Sequence, residues 1–252
     1  MSGFPRLRTL AVIAGLLLAY VIGMATGHYQ LPPFKALFAL KMRATGETPP
    51  KPSSSFHDAL VAIDAALPPG QADVVMLGDS LTAYGRWDER FRDCRVINRG
   101  ISGDTIASVR GRLGEVLSHR PTQVFVMAGV NDLVAGRPIA AIVSDYDTTV
   151  THLIGGGATV VMQSALPCTG PETLCPAGRN AAIDALNRAL LGLATRRGVA
   201  WLDLVPMFKV DGHLRPELTI DGAHLNAAGF AVWERQLAPL MCRPDRQPRP
   251  FS

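Results

Sequence analysis

Five residues in four short blocks supply the groups that acyl transfer needs: Ser80 in Gly78-Asp79-Ser80-Leu81, Gly103 in NRGISGD, Asn131 in GVND, and Asp221 with His224 in DGAH. A hydroxyl gives the nucleophile, and an imidazole can take its proton near neutral pH. A carboxylate three residues before that imidazole, across a Gly-containing turn, can reach the other ring nitrogen and fix its tautomer. Gly103 lets the backbone approach a substrate and offers its N–H, and Asn131 offers a side-chain amide, so an oxyanion would find donors.

Each residue alone also has a plainer reading. Ser80 lies at a strand-to-helix transition, where serine often serves only as an N-cap. Gly103 could be an ordinary turn glycine and Asn131 a residue of the loop after a strand. A second acid–histidine pair, Asp211 and His213, stands nearby, but its spacing is two and no strong helix pattern follows it. A shared site accounts for all five positions at once, whereas the plain readings must be invoked five times.

The elements that would gather these residues can be read from periodicity. Short apolar runs at residues 73–77, 94–98, 123–129, 159–166 and 200–204 predict five strands buried on both faces, as in a parallel sheet between helix layers. Helical patterns fill the gaps, for example 106–120 and 180–197, with a last helix at 225–240. Ser55 with Asp58 reads as a capping box for an earlier helix whose apolar positions include Leu60, Ile63 and Leu67. An alternating α/β pattern of this kind predicts a doubly wound sandwich. Its sites form beyond the carboxyl ends of the strands, which is where Ser80, Gly103 and Asn131 fall.

The blocks resemble those of the SGNH or GDSL hydrolase family, esterases and lipases of the lysophospholipase type. That resemblance implies a flavodoxin-like three-layer α/β/α sandwich with a mainly parallel five-stranded sheet. It implies Ser80 as nucleophile, Asp221 and His224 as acid and base, and an oxyanion hole formed by the Ser80 and Gly103 N–H groups with Asn131. The remaining histidines, His28, His57, His119 and His152, have no partners at metal spacing, so neither a metal nor a cofactor is expected. NRGISGDT and DGAHLNAAG extend the likeness well beyond the minimal signature, and it spans nearly all of residues 56–242. No GxSxG is present, which argues against the α/β-hydrolase family.

The 252 residues carry 48% hydrophobic and 18% charged side chains, enough for one sizeable core. The net charge of +4 gathers at the ends (Arg6 and Arg8, then Arg243, Arg246 and Arg249), so no basic face for nucleic acid is expected. Thr9 to Gly27 is uncharged and follows two arginines, which predicts a signal anchor within residues 1–30, with a cleaved signal peptide as the other reading. Arginines ahead of that segment send the rest outward, to the periplasmic or extracytoplasmic side. Residues 31–55, with ETPPKPSSS, read as a linker and residues 243–252 as a basic flexible tail. The four cysteines suit an oxidising compartment; Cys168 with Cys175 and Cys94 with Cys242 is the favoured pairing, against buried free thiols.

The functional expectation is a serine acylhydrolase acting through an acyl-Ser80 intermediate on an ester of a lipid or an acylated glycan. Two alternatives stand beside it: an acyl transferase or O-deacetylase working on cell-envelope glycans, and an inactive membrane-tethered binding module.

Overall fold

The computed structural model describes residues 54–241. The apolar segment, the spacer up to residue 53, Cys242 and the tail lie outside the described residues. Among the described residues no helix is long and apolar enough to cross a membrane.

In chain order the elements are α1 (Ser54–Ala66), β1 (Val74–Gly78), α2 (Ser80–Ala83), α3 (Trp87–Arg90), β2 (Val96–Gly100), α4 (Ile106–Gly111), α5 (Leu113–Ser118), β3 (Gln123–Met127), α6 (Val130–Val134) and α7 (Ile139–Gly155). There follow β4 (Thr159–Gln163), α8 (Arg179–Arg197), β5 (Ala200–Leu202), α9 (Val205–Phe208), the hairpin strands β6 (Lys209–Val210) and β7 (His213–Leu214), a 3₁₀ turn at Pro216–Leu218, and α10 (Ala227–Leu237). The central sheet has the order β2-β1-β3-β4-β5, and every pairing in it is parallel. The expected mainly parallel sheet is therefore wholly parallel, with helices on both faces.

Alternation along the strands explains the two helix layers. Val75, Leu77, Val124, Val126, Val160 and Met162 point to one face and pack with Ile142, Tyr146, Val150, Leu186 and Leu190 of α7 and α8. Val74, Met76, Phe125, Met127 and Val161 point to the other and meet Trp87, Phe208, Trp233 and Leu237. Side chains on a strand alternate between faces, so strands apolar at every position require a layer on each side. Trp87 and Trp233 meet edge to face at 4.8 Å between ring centroids, with Phe230 stacked on Trp233. Both indole N–H groups are satisfied, by the Thr82 carbonyl at 2.7 Å and by Gln163 Oε1 at 2.8 Å.

Several boundaries differ from those read in the sequence. The helix expected over 106–120 is two helices broken at Arg112, whose backbone is not helical (φ −116°, ψ 15°) and whose guanidinium turns inward. The strands expected at 73–77 and 94–98 lie at Val74–Gly78 and Val96–Gly100, and the last ends at Leu202. The final helix is shorter than 225–240 because Asn226 caps it, accepting from the Gly229 N–H at 3.0 Å. α1 starts at Ser54, one residue before the expected cap. Ile63 on it and Leu67 just beyond its end are exposed, at 58% and 45%, and it is the polar His57 and Asp64 that reach other parts of the fold. The cause is a set of buried charges beneath α1, described below.

Candidate active site

Each strand of the sheet's first half delivers one block to the same carboxyl edge. After β1 the chain turns at once into α2, and here the plain reading of Ser80 fails. The residue that caps α2 is Asp79, whose Oδ1 accepts from the Leu81 N–H at 3.1 Å. Ser80 is the first residue of the helix, so its N–H has no partner within α2 and its hydroxyl is not consumed by capping. That hydroxyl lies 3.0 Å from His224 Nε2.

His224 and Asp221 sit on the loop before α10. Asp221 Oδ2 is 2.7 Å from His224 Nδ1, and its Oδ1 accepts from the N–H groups of Ala223 (2.9 Å) and His224 (2.8 Å). Partial burial alone would raise the Asp221 pKa, but the backbone and ring donors of His224 and the N–H of Ala223 outweigh it and hold the pKa down to about 2. A carboxylate so fixed presents charge to one imidazole nitrogen while the other faces an alcohol. Thr219 closes the loop: its Oγ1 donates to the His224 carbonyl at 2.6 Å and accepts from the Gly222 N–H at 2.8 Å.

Gly222 is a point of contact between this loop and the Cys168–Cys175 disulfide loop, the pairing the sequence favours. Its carbonyl accepts from the Thr169 N–H at 2.8 Å. Its φ is +98°, and a Cβ here would lie 2.1 Å from the Thr169 carbonyl oxygen, so only glycine fits. Cys94 is also disulfide-bonded; Cys242, the partner expected for it, lies outside the described residues.

Gly103 follows β2 with φ +84°, again a glycine conformation, and open space surrounds the place a Cβ would take. Asn131, on the first turn of α6, donates from Nδ2 to the Asp104 carbonyl at 2.9 Å. An amide nitrogen carries two hydrogens, so one remains for another acceptor. The end of β3 is clamped by Tyr146, whose hydroxyl accepts from the Ala128 N–H at 2.8 Å and donates to the Ala128 carbonyl at 3.0 Å. Burial pushes the Tyr146 pKa up, so it remains a neutral phenol.

The competing pair Asp211 and His213 is elsewhere in purpose. Asp211 (φ +48°) and Gly212 make the turn of the β6–β7 hairpin, and the His213 ring approaches Asn180 at 3.3 Å.

Four side chains near the blocks were not legible as site residues. Tyr84, one turn after Ser80, places its ring 5.6 Å from that of His224, and its hydroxyl accepts from Ser102 at 3.0 Å. Asp79 is almost fully buried; desolvation, with Asp104 and Asp132 nearby, pushes its pKa up to about 7 despite the Leu81 N–H. Asp104 and Arg112 are buried together. Arg112 holds Asp104 Oδ2 from Nε at 2.9 Å and also donates to the carbonyls of Gly78 (3.2 Å) and Arg99 (2.7 Å). Nothing local marked Arg112, since its partners lie in other blocks.

An all-parallel sandwich thus brings a serine, a histidine and an aspartate into one hydrogen-bonded series at its carboxyl edge. The chain belongs to the GDSL-like lipase/acylhydrolase family, whose pattern it matches over residues 76–232, more than half its length and all five residues of the blocks. Among solved structures it is similar to a GDSL-like lipase from Bacteroides thetaiotaomicron, with a TM-score of 0.66 at 21% identity, covering 73% of this chain and 96% of that one.

Among curated proteins it is 35% identical over 88 residues to an arylesterase of Vibrio mimicus, covering 34% of this chain and 41% of that one. It is 27% identical over 154 residues to an N-acylneuraminate cytidylyltransferase of Streptococcus agalactiae, covering 61% of this chain and 35% of that one. The chain thus spans well under half the length of these curated relatives.

Proposed function

We propose that this chain is a serine esterase that cleaves a carboxylic ester through an acyl-Ser80 intermediate. The observation that carries the proposal is the series Ser80 Oγ, His224 Nε2, His224 Nδ1, Asp221 Oδ2, with separations of 3.0 and 2.7 Å. Ser80 Oγ attacks the ester carbonyl carbon while its proton passes to His224 Nε2. The imidazolium so formed is stabilised by the Asp221 carboxylate. The tetrahedral oxyanion is received by the Ser80 N–H, the Gly103 N–H and the Asn131 amide. The C–O bond to the alcohol breaks as His224 returns the proton to the departing oxygen. Water, deprotonated by His224, then attacks the acyl-Ser80 carbonyl and releases the acid.

Family membership supports an ester-hydrolysing enzyme; the serine mechanism and the roles of the five residues are our reading. It is tested with a short-chain chromogenic ester. Ser80→Ala should abolish turnover, and Asn131→Ala should lower kcat by about 10²–10³ while leaving the fold intact, the usual cost of one oxyanion donor. Near wild-type hydrolysis by Ser80→Ala would refute the assignment.

We further propose, from the apolar stretch behind Arg6 and Arg8, that the catalytic domain is tethered to a membrane and lies outside the cytoplasm. The Cys168–Cys175 disulfide supports such a compartment.

A further inference from the structure

Asp104 immediately follows Gly103 in the chain, and its carbonyl oxygen receives the Asn131 amide at 2.9 Å. Its own side chain has no solvent exposure, so both carboxylate oxygens depend on protein partners. Arg112 holds Oδ2, and from the same guanidinium it ties together the ends of β1 and β2, which makes Arg112 part of the fold itself. The other oxygen, Oδ1, is held from a distant part of the sequence: His57 Nε2 of α1 lies 2.6 Å away. An ionised carboxylate only accepts, so this nitrogen is the donor.

The same helix face makes a second polar contact about two turns later, where Asp64 meets the buried Arg99 at 3.8 Å. This is why α1 turns His57 and Asp64 inward and leaves Ile63 and Leu67 outside.

We infer that His57 is a positioning residue of the esterase site, reaching from α1 to hold Asp104 and, through the Asp104 carbonyl, the amide of Asn131. The inference rests on the proposed roles of Gly103 and Asn131 as oxyanion donors. His57 touches neither the Ser80 hydroxyl nor the acceptor site. Its side chain is 28% exposed, so its removal opens little apolar core. What its removal does is leave Oδ1 of a fully buried carboxylate without its donor. The carboxylate can then turn about Arg112 and carry the Asp104 backbone with it, and an Asn131 amide displaced by a fraction of an ångström loses transition-state stabilisation while substrate binding is barely altered.

The test uses the full chain with His57→Ala, His57→Gln, Asn131→Ala and the His57→Ala/Asn131→Ala double variant, assayed on a chromogenic ester. His57→Ala should lower kcat about tenfold with KM changed less than about twofold. His57→Gln, whose amide can still donate to Oδ1, should recover to within about threefold of wild type. In the Asn131→Ala background the His57 substitution should cost less than about twofold more, because both act through one donor. A second readout needs no turnover: the Asn131 side-chain amide resonance, assigned by its loss in Asn131→Ala, should shift in His57→Ala and return toward its place in His57→Gln. Wild-type kcat in His57→Ala, a full additional tenfold loss in the Asn131→Ala background, or an unmoved amide resonance would overturn the inference. Retained activity in Ser80→Ala would instead sink the esterase reading, and the resonance would still decide the role of His57.

Discussion

At the scale of single residues the pH dependence follows from the two nitrogens of His224 and the charge beside one of them. Asp221 has a folded pKa of about 2, below its ordinary value, so it stays ionised throughout the range in which enzymes are assayed. Asp221 is therefore not the source of any acid limb in kcat/KM; the proposed base must offer a free Nε2 lone pair to take the Ser80 proton. Activity should climb from acidic pH to a plateau while circular dichroism stays constant. A profile flat from pH 4 to 8 would contradict the role of His224 as base. That Ser80, His224 and Asp221 would meet was legible because the signals are local: GDSL and DGAH each carry their own turn. Asp79 as the cap in place of Ser80 was not, because both residue types cap helices and only the geometry shows which oxygen receives the Leu81 N–H.

Elements set how those residues meet, and the loop before α10 is held from outside itself. Gly222 presses against Thr169 in the disulfide loop with no room for a side chain. Gly222→Ala must relieve both a positive φ and a contact with backbone, so it should destabilise the protein by about 1–3 kcal/mol. It should also lower kcat by shifting Asp221 and His224 relative to Ser80. Chemical denaturation and steady-state kinetics on the same preparation measure the two effects; a wild-type kcat in the folded variant would show that the loops are not coupled. The strands of the sheet's centre were legible because they carry unbroken apolar runs, Val74–Leu77, Val124–Met127 and Val160–Met162, the mark of burial on both faces. The break at Arg112 was not, since the apolar spacing of Ile106, Val109, Leu113 and Val116 continues through it. The guanidinium leaves the helix to satisfy Asp104 and two strand-end carbonyls, partners that no window of sequence contains. The orientation of α1 escaped for the same reason: Ile63 and Leu67 suggested an apolar inner face, but Arg99 and Asp104 beneath the helix called for Asp64 and His57.

For the molecule as a whole, the sheet order 2-1-3-4-5 places the ends of β1, β2 and β3 side by side, so the buried carboxylates of Asp79, Asp104 and Asp132 collect under one edge. Asp79 bears the consequence: burial first, and the neighbouring Asp104 and Asp132 after it, put its folded pKa at about 7, above the unfolded value of 3.8. The folded state then holds a proton that the unfolded chain gives up, so this group's contribution is complete below about pH 4 and is lost as pH rises to about 7. Asp79→Asn keeps the cap and removes the titration. Its thermal midpoint should exceed that of wild type at pH 8, with the gap closing toward pH 4, as followed by calorimetry; an equal gap at every pH would disprove the assignment. The central claim concerns one oxygen atom, and the most direct measurement is intact-mass and peptide analysis after exposure of the whole protein to a fluorophosphonate. A single adduct on the peptide carrying Ser80, lost in Ser80→Ala and slowed in His224→Ala, is the predicted result. No adduct, or an adduct on another residue that persists in Ser80→Ala, would contradict it.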